Sequence, residues 1–386
     1  MKNIIMILTS VQYPGYGAAS NRISMYIKGI EKCDVSVHVR STHRDCKGGN
    51  NYIFRLKSFY FDIPYNIIKS HKNIKDVRVI IVYGYGWFHL ILIKLISVIN
   101  NKKIILEINE KPYTPYSNWL LDSAFIKRVN VLLYSRVLMR LMDGFIVISD
   151  NLEQYVLRYK NKKAKVIIVP ILADLDKFDD INRNTVDIDH IQTPYILHAG
   201  ALSERKDGIV DVLRALAIVI RNANIDLHIY FTDNLAPQDV LRDIESVITQ
   251  YDLGEYVHYL GQISEALLNQ YKVGCSMLVL NKPINEQNKH NFATKITDYL
   301  VLSKPVIYTP VGEMSKYFID GVNGYMISGG DCSELANKIV YVLENNDAAS
   351  RVGSEGKKIA ENHFDYKTQG VRIVKFIGKV INLQIV

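Results

Sequence analysis

Short runs of Val, Ile and Leu recur along the chain, separated by stretches with apolar residues at every third or fourth position. The runs have the length of buried strands, and the spacers have the period of amphipathic helices. Six strands are predicted in the first half, at 4–8, 35–39, 79–84, 103–108, 144–149 and 165–170. Six more follow at 195–200, 226–231, 257–261, 275–280, 305–309 and 324–327. Strand and helix alternate in both sets, and the strands are apolar on both faces. That is the pattern of parallel sheets covered by helices, so the fold class expected is α/β, with two doubly wound parallel-sheet domains. The polar, acidic stretch 174–194 reads as a linker. It divides a first domain, 1–180, from a second, 190–365. The apolar stripe of 366–386 predicts a last helix that packs back on the first domain.

The longest apolar segment, WFHLILIKLISVI at 87–99, carries His89 and Lys94 and falls short of the ~20 residues that span a bilayer. It reads as a buried helix. MKNIIMILTS runs at once into a turn and reads as a first strand rather than an export signal. Cys33, Cys46, Cys275 and Cys332 share no metal-ligand spacing and fit a reducing, cytoplasmic setting. Charge is divided unevenly. Residues 1–190 hold 28 Lys and Arg against 17 Asp and Glu, a net of +11, whereas 191–386 hold 19 against 22, a net of −3. Either a Lys-rich background or an anionic partner explains a basic half, but a background alone would not separate the halves. No nucleic-acid recognition motif is present.

Two glycine turns carry candidate chemistry. YPGYGAASNRI (13–23) places Gly15 and Gly17 after the first strand and opens a helix at Asn21 and Arg22. The spacing is not the dinucleotide fingerprint, and no acidic residue follows the second strand. The turn is either a plain strand-to-helix connection or an anion site at a helix N-terminus. HAGALSERKDG (198–208) places Gly200 after a strand, and Arg205 and Lys206 before a helix expected from about Gly208. Dipole and cations would add at a diphosphate, although the P-loop pattern is absent. A third segment, FATKITDYLVLSKPVI (292–307), reads as a helix running into a buried strand. Phe292, Ile296, Tyr299 and Leu300 give it one apolar face. Lys295 and Asp298 share another face at i, i+3, as a surface ion pair or as ligand contacts.

These segments, with DGFIVISDNLEQYV (143–156), VPILADLDKF (169–178) and VGEMSKYFIDGVNGYMI (311–327), resemble in their order the retaining GT-B glycosyltransferases of family 4, the glycosyl transferases group 1. The resemblance is strongest over 195–330. It implies two Rossmann-like domains facing across a cleft, the first binding an acceptor and the second a UDP- or GDP-linked sugar donor, with no other cofactor. Gly15 and Gly17 match the loop that approaches the donor diphosphate, beside Gly200 of the second domain. Lys206 matches the diphosphate-binding lysine. The family's arginine position is Ala201 here, which leaves Arg205 to compensate. The second of the family's paired glutamates, which binds the ribose hydroxyls, falls at Asp298, and the first falls at His290. TKITDY resembles a variant pattern that brings Lys295 into the site, with backbone N–H groups of Asn291 to Thr294 facing the phosphates. Base contacts are expected near YLGQIS (259–264), around Ile263. Asn109 and Glu110 stand where the family often has a histidine–aspartate pair on the acceptor side.

The resemblance further implies retention of anomeric configuration by front-face attack. Lys206 and Arg205 would stabilise the leaving diphosphate. No metal motif stands in a convincing place, so no obligatory metal is expected. In the acceptor half, 111–142 sets Lys127, Arg128, Arg136 and Arg140 around an apolar stripe after Tyr113, Tyr116 and Trp119, and Lys69, Lys72, Lys75 and Arg78 extend the basic surface. Such a helix either packs inward or lies on an anionic membrane, at the inner face of the plasma membrane for a cytoplasmic enzyme. The expected function is transfer of a sugar to a saccharide or lipid-linked acceptor, in surface polysaccharide or glycoconjugate synthesis. A nucleotide-sugar epimerase of the same fold and a non-catalytic binding subunit are the alternatives.

Overall fold

The computed structural model describes residues 4–15, 17–43, 63–71, 77–111, 129–179, 188, 191–232 and 237–383. The chain forms two compact units, Met1–Pro170 with Tyr366–Val386, and Ile171–Asp365. In the first unit six strands run parallel: β1 (Ile4–Thr9), β2 (Ser36–Ser41), β3 (Val77–Tyr83), β4 (Lys103–Ile108), β5 (Gly144–Val147) and β6 (Lys165–Ile168). Their order is β2-β1-β3-β4-β5-β6. β1 sits between β2 and β3, with Ile7 opposite Val39 on one side and Ile81 on the other. The winding therefore reverses at β1, and the strand ends there form a natural crevice.

Helix α1 (Ala18–Glu31) turns Ile23, Tyr26 and Ile30 inward. It lies against the C-terminal helix Tyr366–Ile381. Glycines permit the close approach: a Cβ on Gly29 would meet the Tyr366 carbonyl at 2.5 Å and the Gly370 Cα at 3.1 Å. Helices α2 (Ile63–His71) and α3 (Trp87–Ile99), the helical stretch 129–141 and α4 (Asp150–Tyr159) form a second set of neighbours. The sequence reading of α3 as buried needs correction. His89, Leu90, Ile93 and Ser97 face inward, but Ile91, Leu95, Val98 and Ile99 are exposed. A helix apolar all round gives no periodic sign of which face is covered.

The second unit has β7 (Tyr195–His198), β8 (His228–Phe231) and β9 (Val257–Tyr259) in one parallel sheet and β10 (Leu278–Leu280), β11 (Val306–Tyr308) and β12 (Tyr325–Met326) in another. A parallel bridge between Ile196 and Met277 joins them beside β7. All twelve strands fall within or beside the predicted runs. The helices are α5 (Glu204–Asp207), α6 (Ile209–Ala223), α7 (Gln238–Tyr251), α8 (Glu265–Gly274), α9 (Ile296–Val301), α10 (Met314–Tyr317), α11 (Cys332–Glu344) and α12 (Asn346–Ile359). Serine side chains cap α5 and α8, and Asp331 caps α11 by accepting from Ser333 and Glu334 N–H. Leu213, Leu216, Ile229, Phe231, Ile307 and Leu335 pack in one core.

The units divide after Pro170 rather than at 180. Ile171 and Ala173 are wholly buried, and Ala173 pairs with Asp365. The start of the expected linker, 174–179, follows them within the second unit. Positions 180–187 lie outside the described residues.

Candidate functional site

In the second unit the loops after β7, β10 and β11 meet at the strand C-termini, where ligands bind in parallel α/β sheets. After β7 the chain turns at Gly200, whose φ of 108 suits only glycine. Gly200 N–H donates to Thr232 Oγ1 at 3.1 Å. Arg205 and Lys206 lie within the one-turn helix α5, not in an open turn before a helix. Ser203 Oγ accepts from Lys206 N–H at 3.1 Å. Gly208 then reverses the chain at φ 57, where a Cβ would meet the Asn281 carbonyl at 2.6 Å.

The loop after β10 grips this turn by its carbonyls. Asn285 Nδ2 donates to Arg205 O at 2.8 Å, Lys282 Nζ to Lys206 O at 3.3 Å, and Asn281 Nδ2 to Gly208 O at 3.1 Å. Buried Asn288 reaches both the Arg205 and Lys206 carbonyls, at 3.3 and 3.4 Å. The next loop presses on this one. A Cβ on Gly312 would meet Asn291 O at 2.5 Å and Asn288 O at 2.8 Å. With its carbonyls tied inward, the turn is left with an exposed Arg205 and a half-buried Lys206 side chain.

Lys295 and Asp298 do not pair. The helix begins only at Ile296, so Lys295 precedes it, and its ammonium meets Asp207 at 3.1 Å. Burial opposes the charge on Asp207, yet Lys295, with Lys282 nearby, holds its carboxyl below the usual range. Buried His198, at the end of β7, stands beside this pair. Burial, with Lys295 adding to it, pushes the imidazole down to about 3. Its Nε2 has no hydrogen-bond partner.

Asp298 is held by two lysines the sequence did not single out. Lys272 Nζ lies 2.7 Å from Oδ2, and Lys177 Nζ lies 3.2 and 3.1 Å from Oδ1 and Oδ2. Burial works against the carboxylate, but Lys272 and then Lys177 outweigh it and keep the carboxyl below its ordinary value. Lys177 belongs to the acidic stretch expected to be solvated. Only its neighbours Asp174 and Asp176 hinted at charge there, and no spacing rule links it to position 298.

The other donor-side positions are more scattered. His290 Nδ1 lies 2.8 Å from the Glu286 carbonyl, so that ring nitrogen is turned back on its own loop. Thr294 offers its carbonyl to Thr297 Oγ1 at 2.9 Å. The Asn291 N–H already donates to Asn288 O at 3.4 Å, which removes one of the expected phosphate donors. Ile263 is half-buried between β9 and α8.

In the first unit Gly17 is the N-cap of α1 at φ 99, and Gly15 N–H donates to Ser20 Oγ at 3.0 Å. Arg22 turns inward. Its Nε donates to Glu107 Oε1 at 2.5 Å, and its other nitrogens donate to the Pro170 and Val169 carbonyls at 2.6 and 2.7 Å. Tyr26 Oη also donates to Glu107, at 2.7 Å. Burial pushes the Glu107 carboxyl above its usual range, which Arg22 only partly counters. Asn109 Nδ2 donates to Tyr83 Oη at 2.5 Å, while Asn109 Oδ1 and Glu107 Oε2 are buried without partners. Glu110 is half-buried in the same loop. Tyr113, Tyr116, Trp119, Lys127 and Arg128 lie outside the described residues.

Residues 193–345 match the family model of the glycosyl transferases group 1. An uncharacterized glycosyltransferase of Methanocaldococcus jannaschii is 26% identical over 134 residues, which cover 34% of this chain and 36% of that relative. The match thus spans about a third of the relative's length. Among solved structures, Anabaena HepE in complex with UDP and glucose superposes with a TM-score of 0.72 at 16% identity, covering 97% of this chain and 99% of that one. Sucrose-phosphate synthase from Thermosynechococcus elongatus gives 0.72 at 16%, covering 99% and 100%. Residues 193–345 therefore resemble the glycosyl transferases group 1, and the chain has the GT-B fold, with two Rossmann-like units.

Proposed function

We propose that the protein is a glycosyltransferase that moves a sugar from a nucleotide-sugar donor to a saccharide or lipid-linked acceptor, with retention of configuration. The observation that carries the reading is the clamped Arg205–Lys206 turn at the end of β7, within the region that matches the family model. A turn fixed by its carbonyls holds its cations in place before the reaction, so they stabilise charge without reorganising. Lys206 and Arg205 neutralise the departing diphosphate. UDP or UDP-glucose occupies the related HepE structures, which supports a nucleotide-sugar donor here.

In this reading Asp298 takes the ribose. A carboxylate has about four acceptor directions. Lys272 and Lys177 use three of them, and one is left for a ribose hydroxyl. His290 lies towards the sugar, Ile263 towards the base, and Asn109 with Glu110 on the acceptor side. A role in surface polysaccharide synthesis accords with this chemistry.

The test is release of nucleoside diphosphate from UDP-glucose and GDP-mannose, with and without an oligosaccharide acceptor. Release should depend on the acceptor, and the product anomer should match the donor by NMR. Lys206→Ala should lower turnover by about 10²-fold or more with the fold intact. Full activity in that variant would overturn the assignment. Interconversion of the sugar without transfer would favour an epimerase.

A further inference from the structure

The apolar outer face of α3 has no counterpart elsewhere in the described first unit. Ile91, Leu95, Val98 and Ile99 recur at i, i+4, i+7 and i+8, so they form one stripe along the helix. Leu95 is 58% exposed, Val98 65% and Ile99 82%. The same helix turns His89 and Ser97 inward, so its ordinary amphipathic sense is inverted at these positions. The stripe does not end at the helix edge. α2 adjoins α3 and exposes Ile68, and the stretch 129–141 adjoins it on another side and exposes Leu132, Val137 and Leu141. Exposed apolar side chains gathered on adjoining elements mark a contact with something apolar.

Charge indicates what that contact is. α2, α3 and 129–141 contain no Asp or Glu. They carry Lys69, Lys94, Arg136 and Arg140, of which Lys69, Arg136 and Arg140 are exposed. Asp143, just beyond 129–141, is already engaged by Lys94 at 3.2 Å and Lys103 at 2.9 Å. A second copy meeting this face across a two-fold axis would bring cations against cations with no carboxylate between them. No helix among the described residues is long and apolar enough to cross a membrane, and α3 has 13 residues. An apolar stripe rimmed by Lys and Arg fits a helix lying in a bilayer surface, with side chains among acyl chains and cations among phosphates.

We propose that the outer face of α3, with Ile68 of α2 and Leu132, Val137 and Leu141 of 129–141, docks on an anionic lipid bilayer. The sequence placed membrane contact on 111–142, with Lys69, Lys72, Lys75 and Arg78 extending the basic surface, and read α3 as a buried helix. The structure moves the apolar centre of the patch to α3 and leaves Arg136 and Arg140 at its rim. The proposal does not rest on the donor chemistry, and its test needs no substrate.

The test is flotation of the purified full chain with vesicles of phosphatidylglycerol and, separately, of phosphatidylcholine. The protein should float with phosphatidylglycerol, more weakly with phosphatidylcholine, and less as salt rises. Leu95→Asp with Val98→Asp should reduce the bound fraction at least about tenfold, with an unchanged melting temperature because both side chains are largely exposed. Arg136→Glu with Arg140→Glu should abolish the preference for the anionic lipid and leave the residual apolar binding. Three results would overturn the proposal. One is wild-type protein that floats with neither vesicle. Another is a Leu95→Asp/Val98→Asp variant that floats as well as wild type. The third is a soluble dimer, seen by light scattering, that this double variant dissociates.

Discussion

Each unit holds a carboxylate beside basic side chains, yet the two are built differently. In the first unit Glu107 and Arg22 are closed off, with 0% and 3% of their side chains exposed. Every nitrogen of Arg22 is used on protein, two of them on the backbone where the chain leaves the unit. In the second unit Asp298 keeps 21% of its side chain exposed and faces two lysines. The first arrangement spends each guanidinium nitrogen on the fold. The second sets Asp298 between two lysines, one of which also reaches Glu265 at 3.9 Å, and keeps acceptor capacity in hand. A buried pair is costly to break but adds little when whole, whereas a half-open one has capacity to spend on a ligand. The comparison thus separates scaffold from site without reference to any substrate.

The largest expected effect lies in the closed network. Arg22→Met leaves Glu107 buried without its cation, with Tyr26 Oη still donating to it, and frees the Val169 and Pro170 carbonyls. Urea denaturation should show about 3–5 kcal/mol of lost stability. Replacing both partners with apolar residues, Arg22→Met with Glu107→Leu, should recover much of that loss. If the single variant is as stable as wild type, the network does not hold the first unit together.

That network was invisible in the sequence for a physical reason. Arg22 and Glu107 lie 85 positions apart, and nothing in either local pattern marks a polar residue that points inward. The strands were legible because runs of Val and Ile covered on both faces leave a continuous apolar signal. Helix α9 was legible as an apolar face but not in its start. Phe292 to Lys295 continue the apolar period, yet the chain there is a loop, so Lys295 leaves the face of Asp298 and finds Asp207. The glycines at 200 and 208 were readable as turns, while the asparagines that clamp the turn were not. Asparagine is common in this chain, and its binding partners are carbonyls, which leave no trace in side-chain spacing.

A middle case is His198, buried like Glu107 but set among the charges of the candidate site. Its imidazole titrates at about 3 in the folded protein, against about 6.5 unfolded. The unfolded chain binds the proton first as pH falls, so the folded state loses stability below about 6.5, and the loss continues down to the folded value. At pH 5 the loss from this residue is about 2 kcal/mol. His198→Gln should be less stable at pH 7 or equal to wild type, but should lack this segment of acid sensitivity between pH 7 and 5. Melting curves across that range check it. An unaltered pH dependence in the variant would place the titration elsewhere and leave His198 as an ordinary core residue.

The smallest effect on stability, and the sharpest on the comparison, is Asp298→Asn. The substitution keeps the shape and removes the charge that Lys272 and Lys177 share. Because Asp298, Lys177 and Lys272 keep only 21%, 20% and 9% of their side chains exposed, unfolding should change by about 1–2 kcal/mol, less than for Arg22→Met. UDP affinity, measured by calorimetry, should fall about tenfold with loss of one hydrogen bond to a charged acceptor. The sign with pH follows from the depressed carboxyl. The contribution of Asp298 is complete above the unfolded value of about 3.9 and is lost as pH falls through the still lower folded value. Between pH 5 and 8 the difference in affinity between wild type and variant should therefore be constant. Should affinity hold while stability drops by several kcal/mol, Asp298 would belong with Glu107 as scaffold, and the ribose contact would have to come from another residue. If wild-type protein binds no UDP or GDP at all, the donor reading itself fails, whatever the variant does.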